Sequence, residues 1–194
     1  MFLFQRPSAT AIRRFLDGSR GLPLSYGPTG IIAQPPVGRQ LDEHVVAIGH
    51  GDVDFERARA ALATWKHFEL GWVELFSDRP SVETGAVGAV LIRHLGFWSL
   101  NGTRVLHQVA GHDARRAFGF VYGTLTNHAE SGEELFEVFI DQTTGHVMYR
   151  IRAVSWPQSA LAWIGQPFVR HLQARFRHDS ASVMRAICSP HEQL

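Results

Sequence analysis

Cysteine is nearly missing from this chain: Cys188 is the only one in 194 residues. A single thiol excludes an intramolecular disulfide and any Cys-pair metal motif, and with them the disulfide-stapled secreted folds. Long apolar runs are missing as well; none approaches the ~20 residues that span a bilayer. The opening residues "MFLFQRPSATAIRRF" lack the charged-then-apolar order of a secretory signal. A cytoplasmic location and no membrane span are therefore expected. Charge is sparse, at 19% of residues with a formal net charge of +1. No basic run interleaves with aromatics, so no nucleic-acid partner is expected. The densest basic stretch, Arg170–His178, falls on a helix candidate, where a solvated face is preferred to an anion or membrane patch.

The motifs of common catalytic classes are absent too. There is no G-x-S-x-G elbow, and Cys188 has no local base partner. The glycine-rich Gly85–Val90 precedes no helix, so it does not fit a phosphate loop. "GHGD" (Gly49–Asp52) does precede one, but Asp52 and Asp54 already supply negative charge there, and the stretch reads as capping. His67, His94, His107, His112, His171 and His178 are scattered without ligand spacing, so neither a metal nor a cofactor is expected.

What is present is apolar material for a core, at 45% of residues. The length suits one domain with an extension. Residues 1–40 read as an N-terminal helix and a Gly/Pro-rich arm, 41–188 as the folded domain and 189–194 as a tail. The first helix spans Ser8–Asp17, capped by Ser8, with Ala11, Ile12, Phe15 and Leu16 on its apolar face. A short strand, His44–Gly49, leads into a second helix with Asp54 as expected N-cap. Six strand candidates follow: Glu69–Phe76, Val87–Leu95, Thr103–Gly111, Ala117–Leu125, Glu134–Ile140 and His146–Ser155. The breaks between them carry Gly, Pro, Asn or Asp, so neighbours pair antiparallel. From Pro157 to Ile187, Leu161, Ile164, Phe168, Leu172, Phe176, Val183 and Ile187 recur at helical spacing, with a kink or fresh start expected at Pro167.

The expected fold class is α+β: a curved, antiparallel, seven-stranded sheet whose apolar face is covered by a long C-terminal helix. This order of elements resembles the helix-grip fold of the START-like superfamily, in which helix and sheet often leave a cavity between them.

The chemistry-bearing stretch is Phe118–Val138, "FGFVYGTLTNHAESGEELFEV". Alternation puts Phe118, Phe120, Tyr122 and Thr124 on one face of its first strand, and Gly119, Val121 and Gly123 on the other. The glycines either let the sheet curl or make room for a ligand. Glu133 and Glu134 read as solvated carboxylates at a hairpin mouth. Glu137 lies inside the second strand; beside Arg150 or Arg152 it makes either an outer-face ion pair or a polar anchor in a cavity. Trp98 falls in a break between strands, where a large aromatic closes a cavity mouth or a core end.

The same stretch resembles the uncharacterised protein family 0548 (domain of unknown function nineteen-ninety), through Tyr122, Gly123, Thr124, Leu125, His128, Gly132, Glu133 and Glu134. Ile151, Ala153, Ser155 and Pro157 extend the resemblance, as do Trp98, Asn101, Arg104 and Val105. Gly102 and Thr103 stand where the family has Pro and Cys. The resemblance implies the START-like fold and brings no activity with it.

The preferred functional reading is a binding module for a small apolar or amphipathic ligand. Phe120, Tyr122, Thr124, Glu137, Arg152 and Trp98 are the candidate ligand-binding residues. The alternatives are a hydrolase- or cyclase-like enzyme that uses Tyr122 with Glu137 or Glu134 as an acid/base pair, and a filled-core protein-interaction domain. Oligomeric state is left open.

Overall fold

The computed structural model describes residues 2–111, 116–158 and 166–189. In chain order the elements are β1 (Phe2–Leu3), α1 (Ala9–Ser19), β2 (Asp42–His50), α2 (Gly51–Ala63), a 3-10 turn (Lys66–Phe68), β3 (Val73–Ser77), β4 (Val87–His94), β5 (Phe97–Ala110), β6 (Ala117–Thr124), β7 (Glu130–Ile140), β8 (His146–Pro157) and α3 (Gln166–Cys188).

Seven strands form one antiparallel sheet in the order β2-β8-β7-β6-β5-β4-β3, and β1 adds to the β5 edge region. The register shifts once in β5, between Val105 and His107, and once in β2, between Ala47 and Gly49. An extra residue on one strand bends it and increases its twist, and both shifts contribute to the curl. On the inner face, Phe120 and Phe136 from the sheet meet Phe55 and Leu62 from α2 and Met184 from α3 in the main core. This is the expected fold class: a curled sheet gripping a C-terminal helix.

The outer face is covered too. Ile12 and Leu16 of α1 pack on Val87, Leu91 and Leu100. Ile31 and Ile32 of the Gly/Pro-rich segment pack on Val121, Leu135 and Val154. The segment that reads as an irregular arm thus buries its isoleucines on the back of the sheet.

Several boundaries differ from the sequence reading, each for a local reason. The break expected at "GFWSLNG" is a strand. Leu95 (φ 47) and Gly96 (φ 80) make a two-residue turn, and His94 already pairs with Phe97. Trp98 therefore lies inside β5 rather than in a break. β7 begins at Glu130, four residues before its expected start. β3 begins only at Val73, because Trp65 (φ 66) turns the chain into the 3-10 segment.

At α2 the N-cap is His50, not Asp54. Asp54 sits in the first turn and reaches back, its Oδ2 accepting from the His50 N–H at 2.9 Å. Ser8 caps α1 as expected, with Oγ accepting from the Ala11 N–H at 3.2 Å. α3 begins beside Pro167, where a proline loses no helical hydrogen bond. Leu161, Ile164 and His112 lie outside the described residues, as does the side chain of Phe168. Leu172 and Phe176 do pack against the main core.

Candidate functional site

A cavity of about 880 Å³ lies between the concave face of the sheet and α3. Its apolar wall includes Val90 and Ile92 of β4, Phe68 and Trp72 from the segment before β3, and Leu172 and Phe176 of α3. Its polar groups follow from strand alternation. In β7, Glu130, Gly132 and Glu134 face inward with Phe136; in β5, Ser99 and Asn101 do the same.

Two hydrogen-bonded groups stand out. The Tyr122 hydroxyl donates to Glu134 Oε2 at 2.6 Å. Glu130 Oε2 accepts from Gln173 Nε2 at 3.0 Å and from Ser155 Oγ at 3.4 Å, which ties α3 to the sheet. Among the described residues, Oε1 of neither carboxyl has a hydrogen-bond partner. His128 accepts the Glu130 N–H on Nδ1 at 2.9 Å. Asn101 Oδ1 accepts the Ala129 N–H at 3.2 Å, and its Nδ2 donates to Ser99 Oγ at 3.2 Å.

Burial sets the electrostatics. It pushes the Glu134 carboxyl up to about 7, opposed in part by the Tyr122 hydrogen bond. Burial also raises Glu130, against the hydrogen bonds from Gln173 and Ser155. Tyr122 is held well above its ordinary range by burial and then by the charge of Glu134. His128 falls to about 4 because its buried ring resists charging. Near neutrality, Glu134 therefore stands between its acid and carboxylate forms, able to donate or to accept a hydrogen bond. Among the described residues no three His, Cys, Asp or Glu side chains converge as metal ligands do.

The structure places the six candidate residues in different surroundings. Tyr122 and Thr124 line the cavity. The Thr124 hydroxyl is engaged, accepting the Gly132 N–H at 2.9 Å and lying 2.7 Å from Ser25 Oγ. Phe120 is fully buried in the core beneath, 5.1 Å from the Trp65 ring and 5.3 Å from the Phe136 ring. Glu137 and Arg152 are off the cavity, because alternation turns both to the outer face. Glu137 pairs there with Arg150 at 3.1 Å, and Arg152 sits 3.6 Å from Glu43. Trp98 packs toward α1, with the guanidinium groups of Arg6 and Arg93 over its ring.

Glu133 and Glu134 are not solvated. Glu133 is 2% exposed and faces the back of the sheet. Its Oε1 accepts from the Tyr26 hydroxyl at 2.9 Å and the Gly30 N–H at 2.8 Å, and its Oε2 from the Ile32 N–H at 3.2 Å. The two strand glycines make no room in the cavity. A Cβ on Gly119 would strike the Phe136 carbonyl oxygen, and one on Gly123 would meet Tyr26 and Leu24. Sequence reasoning missed Glu130, Ser155 and Gln173. The period-two run Ser99, Asn101, Thr103 was the legible sign of an inward polar face on β5.

A curled sheet closed over a part-polar cavity by a C-terminal helix defines a helix-grip protein. The chain belongs to the family described as "Domain of unknown function (DUF1990)", whose model matches residues 25–183. A UPF0548 protein of Dictyostelium discoideum is 29% identical over 95% of this chain and 94% of its own length. One of Deinococcus radiodurans is 32% identical over 96% and 98%. Among solved structures, norcoclaurine synthase from Thalictrum flavum in complex with dopamine and hydroxybenzaldehyde aligns with a TM-score of 0.53. It shares 9% identity and covers 89% of this chain and 99% of that one. The di-domain ARO/CYC protein BexL aligns at a TM-score of 0.52 and 14% identity, over 81% of this chain and 52% of that one. At such identities the likeness is one of fold alone.

Proposed function

We propose that this protein binds a small amphipathic molecule between the sheet and α3. The supporting observation is the cavity of about 880 Å³, whose apolar wall is interrupted by two carboxyl groups that each keep one oxygen without a hydrogen-bond partner among the described residues. A volume in this range suits a small-molecule site, and a few convergent polar groups in an apolar pocket fix a ligand's orientation. The head of such a ligand donates hydrogen bonds to Glu130 and Glu134, and its apolar body lies along Val90, Ile92 and Leu172. Native mass spectrometry of the purified protein tests this: a bound small mass is expected. A bare mass in every preparation, with no thermal shift across a panel of amphipathic amines and alcohols, overturns it.

A second reading is favoured by the short Tyr122–Glu134 hydrogen bond. A carboxyl poised near neutrality beside a phenol is suited to moving a proton on a bound substrate. Norcoclaurine synthase places ligands on a similar fold, which supports a reaction on this scaffold without assigning one here. Turnover of any bound small molecule, abolished by Glu134→Gln with binding retained, distinguishes this reading from simple binding.

A further inference from the structure

The mouth of the cavity carries the features of a surface that meets another phase. Phe4, Leu95 and Phe97 all contribute to its lining, yet they are 84%, 73% and 41% exposed. Pairing of Leu3 with Trp98 sets Phe4 beside Phe97, with ring centroids 5.3 Å apart. Leu95 forms the tip of the β4–β5 turn at φ 47, a left-handed conformation that costs a residue with a branched side chain. An exposed leucine held in that conformation spends stability without gaining burial, which points to use at the surface. Among the described residues the other large exposed apolar side chains, Val37, Val45 and Val53, do not line the cavity.

Positive charge predominates in the segments that form the mouth. Residues 1–16, 84–112 and 142–178 contain no Asp or Glu, and they supply β1, the β4–β5 turn, the end of β8 and the first half of α3. Arg6 and Arg93 lie over Trp98 on the outer face of the same strand ends, with Arg6 paired to Glu74 at 2.8 Å. On the helical wall, Arg170, His171 and Arg175 are exposed, and Arg177 lines the cavity itself.

We propose that this mouth docks on an anionic phospholipid bilayer, with Phe4, Leu95 and Phe97 entering the acyl boundary and the arginines meeting the headgroups. The inference rests on the cavity being a ligand site. Docking at the mouth lets an amphipathic molecule pass between bilayer and cavity without crossing water. Apolar side chains backed by cations are the combination that holds a protein at such an interface.

Vesicle flotation tests it with three proteins: wild type, Leu95→Glu and Val53→Glu, the last a charge added at an exposed site remote from the mouth. Wild type and Val53→Glu are expected to float with mixed phosphatidylcholine–phosphatidylserine vesicles. Leu95→Glu, at an unchanged melting temperature, is expected to partition roughly tenfold less or weaker still, the loss due to one unburied leucine side chain. Wild type remaining in the lipid-free fraction, or Leu95→Glu floating equally well, overturns docking. So does a dimer in lipid-free solution that Leu95→Glu dissociates while vesicles bind neither protein, because the rim is then a self-interface. Native mass spectrometry of the wild-type sample keeps the two readings apart: a ligand mass found there supports the cavity whatever the vesicles show.

Discussion

Glu133 and Glu134 are adjacent in the chain and act on opposite sides of the sheet. Glu133 holds Tyr26, Gly30 and Ile32 against the back, while Glu134 receives the Tyr122 hydroxyl inside the cavity. One dipeptide thus fastens the N-terminal segment and furnishes the cavity, and the two tasks separate by mutation.

Glu133→Ala leaves two backbone N–H groups and a phenol without their shared acceptor. Hydrogen bonds to a charged group are the strong kind, so a loss of about 3 kcal/mol or more is expected in a denaturant titration. Limited proteolysis should then cut within the segment around Gly27–Gly30. Wild-type stability together with an uncut segment would mean that Glu133 is not the fastening.

Glu134→Gln keeps a carbonyl oxygen for Tyr122 and removes the titration. The folded-state value of about 7 lies above the ordinary 4.5, so the protonated form favours the fold. That stabilisation is complete below about 4.5 and is lost as pH rises through about 7. Thermal melts across this window should show the variant gaining on wild type as pH rises. Comparing the pair cancels the opposite acid sensitivity of His128, whose neutral ring costs stability as pH falls from 6.5 to about 4. A difference in melting temperature that does not change with pH would show Glu134 ionised throughout.

Tyr122→Phe removes the donor to Glu134 and keeps the ring, which packs among Phe68, Phe120 and Phe136. Stability should fall by at most about 1–2 kcal/mol, the worth of one hydrogen bond. Binding of a polar-headed ligand should change more than the fold, read by titration of whatever molecule co-purifies. Silence in both measurements would make the pair a packing feature.

Gly119→Ala pushes a methyl against the Phe136 carbonyl and the Glu137 Cα, which are backbone atoms in the next strand. Backbone gives way poorly, so a cost of about 2–3 kcal/mol is expected. Gly123→Ala meets the side chains of Tyr26 and Leu24, which can move aside, and should cost less. The reverse order in a melt would show that the segment over Gly123 is the more rigid partner.

Period and punctuation carried most of the architecture. Alternation in "FGFVYGT" and "EELFEVFI" assigned the right side chains to each face, and turn residues placed the reversals within a few positions. Recognising Ser8 as a cap was enough to start α1. Reading failed where polar residues sit in strands. "WSLN" has turn composition, yet Ser99 and Asn101 are strand residues that face a cavity. Glu133 and Glu134 looked solvated because the partner of one, the segment around Gly30, lies 103 residues away, and nothing local announces that contact. The same holds for Gln173 on Glu130, which joins elements 43 residues apart.

α3 is anchored unevenly, and this gives it the mechanics of a cantilever. Its last turns are set in the core by Ala181, Met184 and Cys188, and the turn before them is tied by Ser180 to the Tyr149 hydroxyl at 2.9 Å and by Asp179 to the Trp72 indole at 2.9 Å. Ahead of Asp179 the helix runs over the cavity, held by the Gln173 hydrogen bond to Glu130 and by the packing of Leu172 and Phe176. Breaking the Gln173 bond loosens the leading turns about Asp179 while the rooted end stays fixed. Amide exchange along α3 should accordingly be graded, fast from Val169 to Phe176 and slow from Ser180 to Ile187, in a helix with no internal break.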